Sequence, residues 1–308
     1  MAGMTLYDLC LASNWEYDAG FIRLLNAACA VRGLTLWTVT PHNLTDSLSR
    51  LATGAAGFRV LLDRASEADP AFLPLVDAAR SLHAHRLNPR ELADRAYDKV
   101  IMHHALRAAG LPTPRTLILP SFDEQPHLSA LDLSPFNGCA VVKPAFGGGG
   151  EGVMTEVSTL EQVSSARRHF PNQSYLIQAH VTPKRLDGRP AWFRIIYCLG
   201  EVYLSFWDTS THVYTLIPSA QENHLGVGGL RQITRRIADL CRLDLFSTEI
   251  ALTIDWQFTV VDYVNDPIDL RLQSEAIDGV PDVIVADIAA RLAASASAPP
   301  GPCLYSPE

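Results

Sequence analysis

Long apolar runs are missing from this sequence. None approaches the roughly 18–20 residues that cross a bilayer, and the opening MAGMTLYDLC has no basic segment leading into an apolar one. Both absences predict a cytoplasmic protein that does not engage membranes. Runs of lysine and arginine are missing as well. The chain carries 25 basic and 33 acidic residues, a net charge of −8, so nothing advertises the basic face of a nucleic-acid binder. No Cys-x-x-Cys pair occurs among the six cysteines. That excludes redox dithiol and zinc spacings and leaves Cys10, Cys29, Cys139, Cys198, Cys241 and Cys303 as free thiols, mostly in apolar segments. The ten histidines show no metal-ligand spacing, and His103-His104 on a helix face apart. No Ser/His/Asp or Cys/His arrangement emerges. With 19 glycines and 20 prolines in 308 residues, collagen-like and low-complexity chains are excluded too.

What remains is a chain with 48% hydrophobic residues, ample for a core and suited to small-molecule work. Apolar patterning over residues 1–90 alternates strand and helix: strands at Leu6–Ala12, Leu34–Thr40 and Phe58–Leu62, helices at Asp18–Arg32, Leu44–Ala52 and Pro70–Leu82. Such alternation predicts a parallel sheet flanked by helices. A long helix is expected over Arg90–Gly110, then strands at Thr116–Leu119, Cys139–Pro144 and Ser174–Val181, with a helix at Leu160–Phe170. The C-terminal part is strand-heavy. One hairpin joins Ala191–Tyr197 to Glu201–Trp207, and a second joins Thr248–Ile254 to Phe258–Asn265; helices are expected at Gly229–Cys241 and Val280–Ala294. These readings divide the chain into an N-terminal α/β domain (1–90), a central lobe (95–180), a C-terminal lobe (181–296) and a disordered Ala/Ser/Pro-rich tail (297–308).

Chemistry concentrates first at Ala140-Val-Val-Lys143-Pro-Ala-Phe-Gly147-Gly-Gly-Gly150-Glu-Gly152-Val. An apolar strand delivers a lysine and then a glycine run. Glycine lets backbone N–H groups approach a ligand closely, such loops cradle phosphate oxygens, and a lysine supplies a point charge for them. The lysine precedes the glycines, so this is not the G-x-x-x-x-G-K-[ST] loop.

The second concentration is the hairpin at 248–263. With a two-residue turn at Asp255-Trp256, opposed residues sum to 511, which sets Glu249 across from Asp262. Two carboxylates about 5 Å apart across a ladder repel; buried, they need a shared proton or a cation. Mg²⁺, held by one or two carboxylates plus substrate phosphates, fits. Asp262 and Asn265 are three residues apart and fall on opposite faces of a regular strand; a bulge would bring them together.

These segments, in this order, resemble the ATP-grasp superfamily: Asp98-Lys99 and Ala109-Gly-Leu-Pro-Thr-Pro114, then Val-Val-Lys143-Pro with its glycines, Leu176-Ile-Gln178-Ala-His-Val, Trp192-Phe-Arg194-Ile-Ile, and Val260-Val-Asp262-Tyr-Val-Asn265. The likeness spans about residues 95–275 and is strongest to glutathione synthetase-like and ribosomal-protein glutamate ligases. It implies an α/β (α+β) fold, with a Rossmann-like pre-ATP-grasp domain followed by a two-lobed ATP-grasp fold. It implies ATP and Mg²⁺ as cofactors, and a ligase that activates a carboxylate as an acyl phosphate and joins it to an amine or thiol. Lys99, Lys143, Gly148, Gly149 and Gly150 would hold phosphates; Gln178, Ala179 and Val181 would lie beside adenine. Glu249, Asp262 and Asn265 would hold Mg²⁺, and Arg194, Lys143 and Arg271 would serve the phosphoryl group. Tyr263 stands where the family usually has a metal-binding Glu. Trp192 stands where it often has an acid. Asp187 is the candidate for the ribose, and Ser274 could touch phosphate or substrate. Partners would be small-molecule carboxylates and amines, with a homodimer possible. A kinase phosphorylating a hydroxyl, like the inositol phosphate kinases, and a non-catalytic nucleotide-binding protein are the alternatives.

Overall fold

The structure is a computed structural model that describes residues 3–128 and 131–297; the expected tail lies outside them from residue 298 onward. Strands β1 (Thr5–Ser13), β2 (Leu36–Val39), β3 (Ala56–Arg64) and β4 (His85–Leu87) pair in parallel, in the order β2-β1-β3-β4. Helices α1 (Ala19–Val31), α2 (Leu44–Ala52) and α3 (Leu73–Ser81) connect them. Both faces of this sheet are covered, which is why its strands read as apolar runs. Cys10, Ala12, Trp37 and Phe58 pack with Leu75 and Val76 of α3 on one face, and Leu9, Leu11, Val60 and Leu62 pack with Phe21 and Leu25 of α1 on the other.

The helix expected over Arg90–Gly110 is two helices, α4 (Arg90–Tyr97) and α5 (Lys99–Ala108). Asp98 breaks the run. Its backbone is extended at φ −70°, ψ 106°, and its side chain accepts from the N–H groups of Val100 and Ile101 at 2.8 and 3.1 Å. An N-cap aspartate starts a helix but does not sit inside one. A purely apolar periodicity carries no sign of this break.

The central lobe contains β5 (Thr116–Leu119), β6 (Ala140–Pro144), β7 (Met154–Val157), α6 (Leu160–Arg167) and β8 (Tyr175–Ala179), forming an antiparallel sheet in the order β5-β8-β6-β7. Strand β7 is too short and too exposed to announce itself in sequence. A small hairpin, β9 (Arg185–Leu186) and β10 (Arg189–Pro190), follows, and Asp187 sits exposed in its turn.

Strands β11 (Trp192–Cys198), β12 (Glu201–Trp207) and β13 (Tyr214–Leu216), helices α7 (Ser219–Leu225) and α8 (Gly229–Cys241), and strands β14 (Leu245–Leu252) and β15 (Phe258–Asn265) make the last lobe. Its antiparallel sheet runs β13-β12-β11-β14-β15. On one face Phe193, Ile195 and Phe246 share a core with Ile237 of α8 and with Met102 and Leu106 of α5. On the other, Ile196, Cys198 and Leu245 meet α9 (Asp282–Ser297), whose Val285, Ile288 and Leu292 join the same core as Phe21 and Leu25. The final helix therefore packs against the first sheet. No helix among the described residues is long and apolar enough to cross a membrane.

Candidate active site

The β14–β15 hairpin arrives at the expected carboxylate pair by an unexpected register. The loop closes through Thr253 N–H to the Gln257 carbonyl, and the first pairs, from Leu252–Phe258 to Ile250–Val260, sum to 510. An irregularity beside Glu249 then brings Glu249 opposite Asp262, and a second brings Ser247 opposite Asn265. Each shift inserts one extra residue on β15. The second one carries Asn265 to the face of Asp262, where Asn265 Nδ2 donates to Asp262 Oδ2 at 3.0 Å.

On the other side of β14, Arg194 of β11 lies directly opposite Glu249. Its Nη1 donates to Glu249 Oε1 at 2.8 Å and its Nη2 to Ser247 Oγ at 3.3 Å, while Trp192 Nε1 donates to Glu249 Oε2 at 2.9 Å. Trp207 stacks beneath the guanidinium at 4.9 Å, and Arg194 Nε has no partner. Burial pushes the Glu249 carboxyl up; Arg194 opposes this and the neighbouring Asp262 adds to it. Burial would raise Asp262 likewise, but Lys143, Lys99, Asn265 and Arg194 together hold it below its ordinary value.

The central lobe supplies the lysines. Lys143, at the end of β6, is 6% exposed, donates to the Val261 carbonyl at 3.0 Å and lies 3.9 Å from Asp262 Oδ1. Burial pulls its pKa down to about 8 despite the attraction of Asp262. Lys99, the first residue of α5, donates to the carbonyl of Gly147 at 2.5 Å, and burial lowers its pKa as well. Gly149 and Gly150 take φ of 59° and 80°, left-handed values open to glycine at little cost. A side chain at Gly148 would meet the Tyr97 hydroxyl at 2.9 Å. The chain has only three lysines, Lys99, Lys143 and Lys184. Two of them come to this cluster, a scarcity that could have flagged them in sequence.

Other residues are placed differently. Gln178 is buried, its amide committed to Thr116 Oγ1 at 3.0 Å and Tyr263 Oη at 2.7 Å. Ala179 N–H is taken by the Arg115 carbonyl, and Val181 is half-buried just beyond β8. Tyr263 points away from Asp262, as strand alternation requires; it is 1% exposed and its Oη lies 2.8 Å from His103 Nδ1. The usual acid position is thus filled by a core residue joining the two lobes. Arg271 pairs with Asp269 at 2.7 Å and Asp278 at 2.8 Å. The Ser274 backbone N–H donates to Asp282. Asp18 forms a buried ion pair with Arg64 at 2.7 Å. Trp192, Ser247 and Trp207 were not legible as partners of this site, because their roles depend on cross-strand register.

No protein-family model matches the chain, and no curated protein matches it in sequence. Solved structures do. An ATP-grasp RimK domain protein from Sphaerobacter thermophilus superposes with a TM-score of 0.62 at 20% identity, over 91% of this chain and 98% of its own. The ATP-grasp ligase PsnB, complexed with minimal precursor, Mg and ADP, gives 0.59 at 13% identity over 92% and 98%. D-alanine–D-alanine ligase from Bacillus anthracis, complexed with ATP, gives 0.60 at 12% identity over 95% and 99%. The chain has the ATP-grasp fold. The lysine-bearing strand and the carboxylate-bearing hairpin come from different sheets and meet at Lys143 and Asp262.

Proposed function

We propose that the protein is an ATP- and Mg²⁺-dependent ligase that activates a carboxylate as an acyl phosphate and joins it to an amine. The observation that carries this reading is the convergence of two sheets: Lys143 Nζ lies 3.9 Å from Asp262, itself opposed to Glu249. The likeness to a ligase solved with ATP and to one solved with Mg and ADP supports it. The solved structures named above do not favour the kinase alternative. On this reading residues 1–90 are the pre-ATP-grasp domain.

Glu249, Asp262 and Asn265 would hold Mg²⁺. Their donors are all oxygens, two of them from carboxylates, which is the hard-ligand set this cation takes together with substrate phosphate. When bound, Mg²⁺ would neutralise charge on the phosphates. Lys99 and Lys143 would exchange their carbonyl partners for phosphate oxygens, and the backbone of Gly148–Gly150 would close over them. Arg194 Nε is free for a phosphoryl oxygen, a geometry the guanidinium suits. The substrate carboxylate attacks the γ-phosphorus and ADP leaves; the amine then attacks the acyl carbon and phosphate leaves. The protein's part is positioning and electrostatics. Adenine would lie along the backbone of Ala179–Val181, with Gln178 holding that strand from behind through Thr116 and Tyr263, and Arg271 would bind substrate by way of Asp269 and Asp278.

Mg²⁺-dependent ADP release is the test. Glu249→Gln is expected to abolish it while far-UV circular dichroism is unchanged; undiminished release in that variant overturns the assignment.

A further inference from the structure

Three elements meet at one buried hydroxyl. Tyr263 of β15 has its Oη 2.7 Å from Gln178 Nε2 on β8 and 2.8 Å from His103 Nδ1 on α5. Gln178 Nε2 lies in turn 3.0 Å from Thr116 Oγ1 on β5, and Thr116 Oγ1 lies 2.8 Å from the Pro114 carbonyl. These partners fix the direction of every proton in the chain. A carbonyl only accepts, so the Thr116 hydroxyl donates to Pro114 and its oxygen accepts from the Gln178 amide. The second N–H of that amide serves Tyr263 Oη, and the tyrosine proton goes to His103 Nδ1. His103 accepts there only as the neutral imidazole, and burial, which pulls its pKa down to about 4, keeps it neutral. A phenylalanine at 263 would fill nearly the same space, so packing alone does not require the hydroxyl. A buried polar chain with every member satisfied fixes one arrangement of its elements, which an apolar contact does not.

The elements it joins are those of the nucleotide site. Gln178 immediately precedes Ala179–Val181, the backbone proposed to lie beside adenine. Tyr263 immediately follows Asp262, a proposed Mg²⁺ ligand. His103 and Lys99 are at i+4 and i on α5 and share a face. The Tyr263 ring also faces Lys143, whose Nζ lies 5.1 Å from its centroid. Val141 pairs with Gln178, and Lys143 is two residues further along β6, so Gln178 and Lys143 project from the same face of the central sheet.

We propose that Tyr263 is a positioning residue that makes adenine and the Mg²⁺-bound phosphates bind cooperatively: its hydroxyl holds β8, β15 and α5 in one arrangement, so that ligand contacts ordering one element order the others. This rests on the nucleotide site proposed above and assigns the residue that links its two halves. Such coupling is reciprocal, so either half of the ligand can report it.

The test uses the full chain and splits the nucleotide into adenosine and Mg·pyrophosphate, with adenosine affinity read by ligand-observed NMR. In the wild type, saturating Mg·pyrophosphate is expected to tighten adenosine at least tenfold. In Tyr263→Phe the gain should fall below twofold, and Mg·AMPPNP should bind at least tenfold more weakly by calorimetry. His103→Gln keeps an acceptor for the hydroxyl and should keep most of the gain; His103→Leu should lose it. A residue that only supports the fold would lower the urea midpoint without changing the gain. Should Tyr263→Phe fail to fold, His103→Leu, at the other end of the same hydrogen bond, carries the test. No gain in the wild type, an undiminished gain in Tyr263→Phe or His103→Leu, or a loss in His103→Gln equal to that in His103→Leu overturns the proposal. Calorimetry keeps the two readings apart. If the wild type does not bind Mg·AMPPNP, the nucleotide site itself fails; if it binds Mg·AMPPNP and the gain survives Tyr263→Phe, the site stands and only the role of Tyr263 falls.

Discussion

Lys143→Met should make the free protein more stable and nucleotide binding weaker. Lys143 is 6% exposed, and its pKa falls from 10.5 to about 8 because burial outweighs the attraction of Asp262. At roughly 1.4 kcal/mol per unit, the folded protein gives up about 3 kcal/mol at neutral pH to keep this ammonium charged. Methionine fills nearly the same volume without a charge. It forfeits the bond to the Val261 carbonyl, a loss of about 1 kcal/mol. The net expectation is a gain of about 1–2 kcal/mol, seen as a higher urea midpoint at unchanged slope. Affinity moves the other way. A charged hydrogen bond to phosphate is worth about 1.5–3 kcal/mol, so Mg·AMPPNP should bind roughly 10- to 150-fold more weakly by calorimetry. A variant that is clearly less stable would show that the lysine holds the two lobes together and is not a charge kept for a ligand. A variant with undiminished nucleotide affinity would refute its place at the phosphates.

Three further outcomes are expected. Gly148→Ala drives a Cβ to 2.9 Å from the Tyr97 hydroxyl; it should weaken Mg·AMPPNP binding by about tenfold, and adding Tyr97→Phe should restore most of that, a non-additivity expected of touching residues. Burial pulls His103 down to about 4, with His104, Arg107 and Lys143 adding to it. Its folded pKa lies below the unfolded value near 6.5, so the unfolded chain takes up the proton first, and stability falls as pH drops from 6.5 toward 4; unfolding free energies from urea titration at pH 7 and 4.5 should differ by about 2–3 kcal/mol more in the wild type than in His103→Gln. Asp18→Ala strands buried Arg64 and should cost about 3–5 kcal/mol in urea unfolding, whereas equal stability would show that the pair contributes nothing.

Strand and helix content was readable wherever one face or both faces are buried, because burial imposes a period on the apolar residues. That is why β1, β3, β6, β11 and β12 fall where their sequences point, and why short exposed β7 and β9 do not. The pairing of Glu249 with Asp262 was readable from hairpin arithmetic, although the register begins one residue away and reaches that pair only through an irregularity. Capping is local chemistry, yet Asp98 was hidden by the apolar pattern that continues on either side of it.

Sequence alone determined the glycine loop with its lysine, the acid pair and their order along the chain, since each depends on residues within one strand or turn. Tertiary structure decided what they meet. Lys143 reaches Asp262 across 119 positions because two sheets converge; Arg194 and Trp192 grip Glu249 because β11 pairs with β14; and α9 closes on the first sheet because its apolar residues share one core with α1 and with β11 and β14. Contacts between distant segments are set by the packing of whole layers, and no window of sequence contains that information.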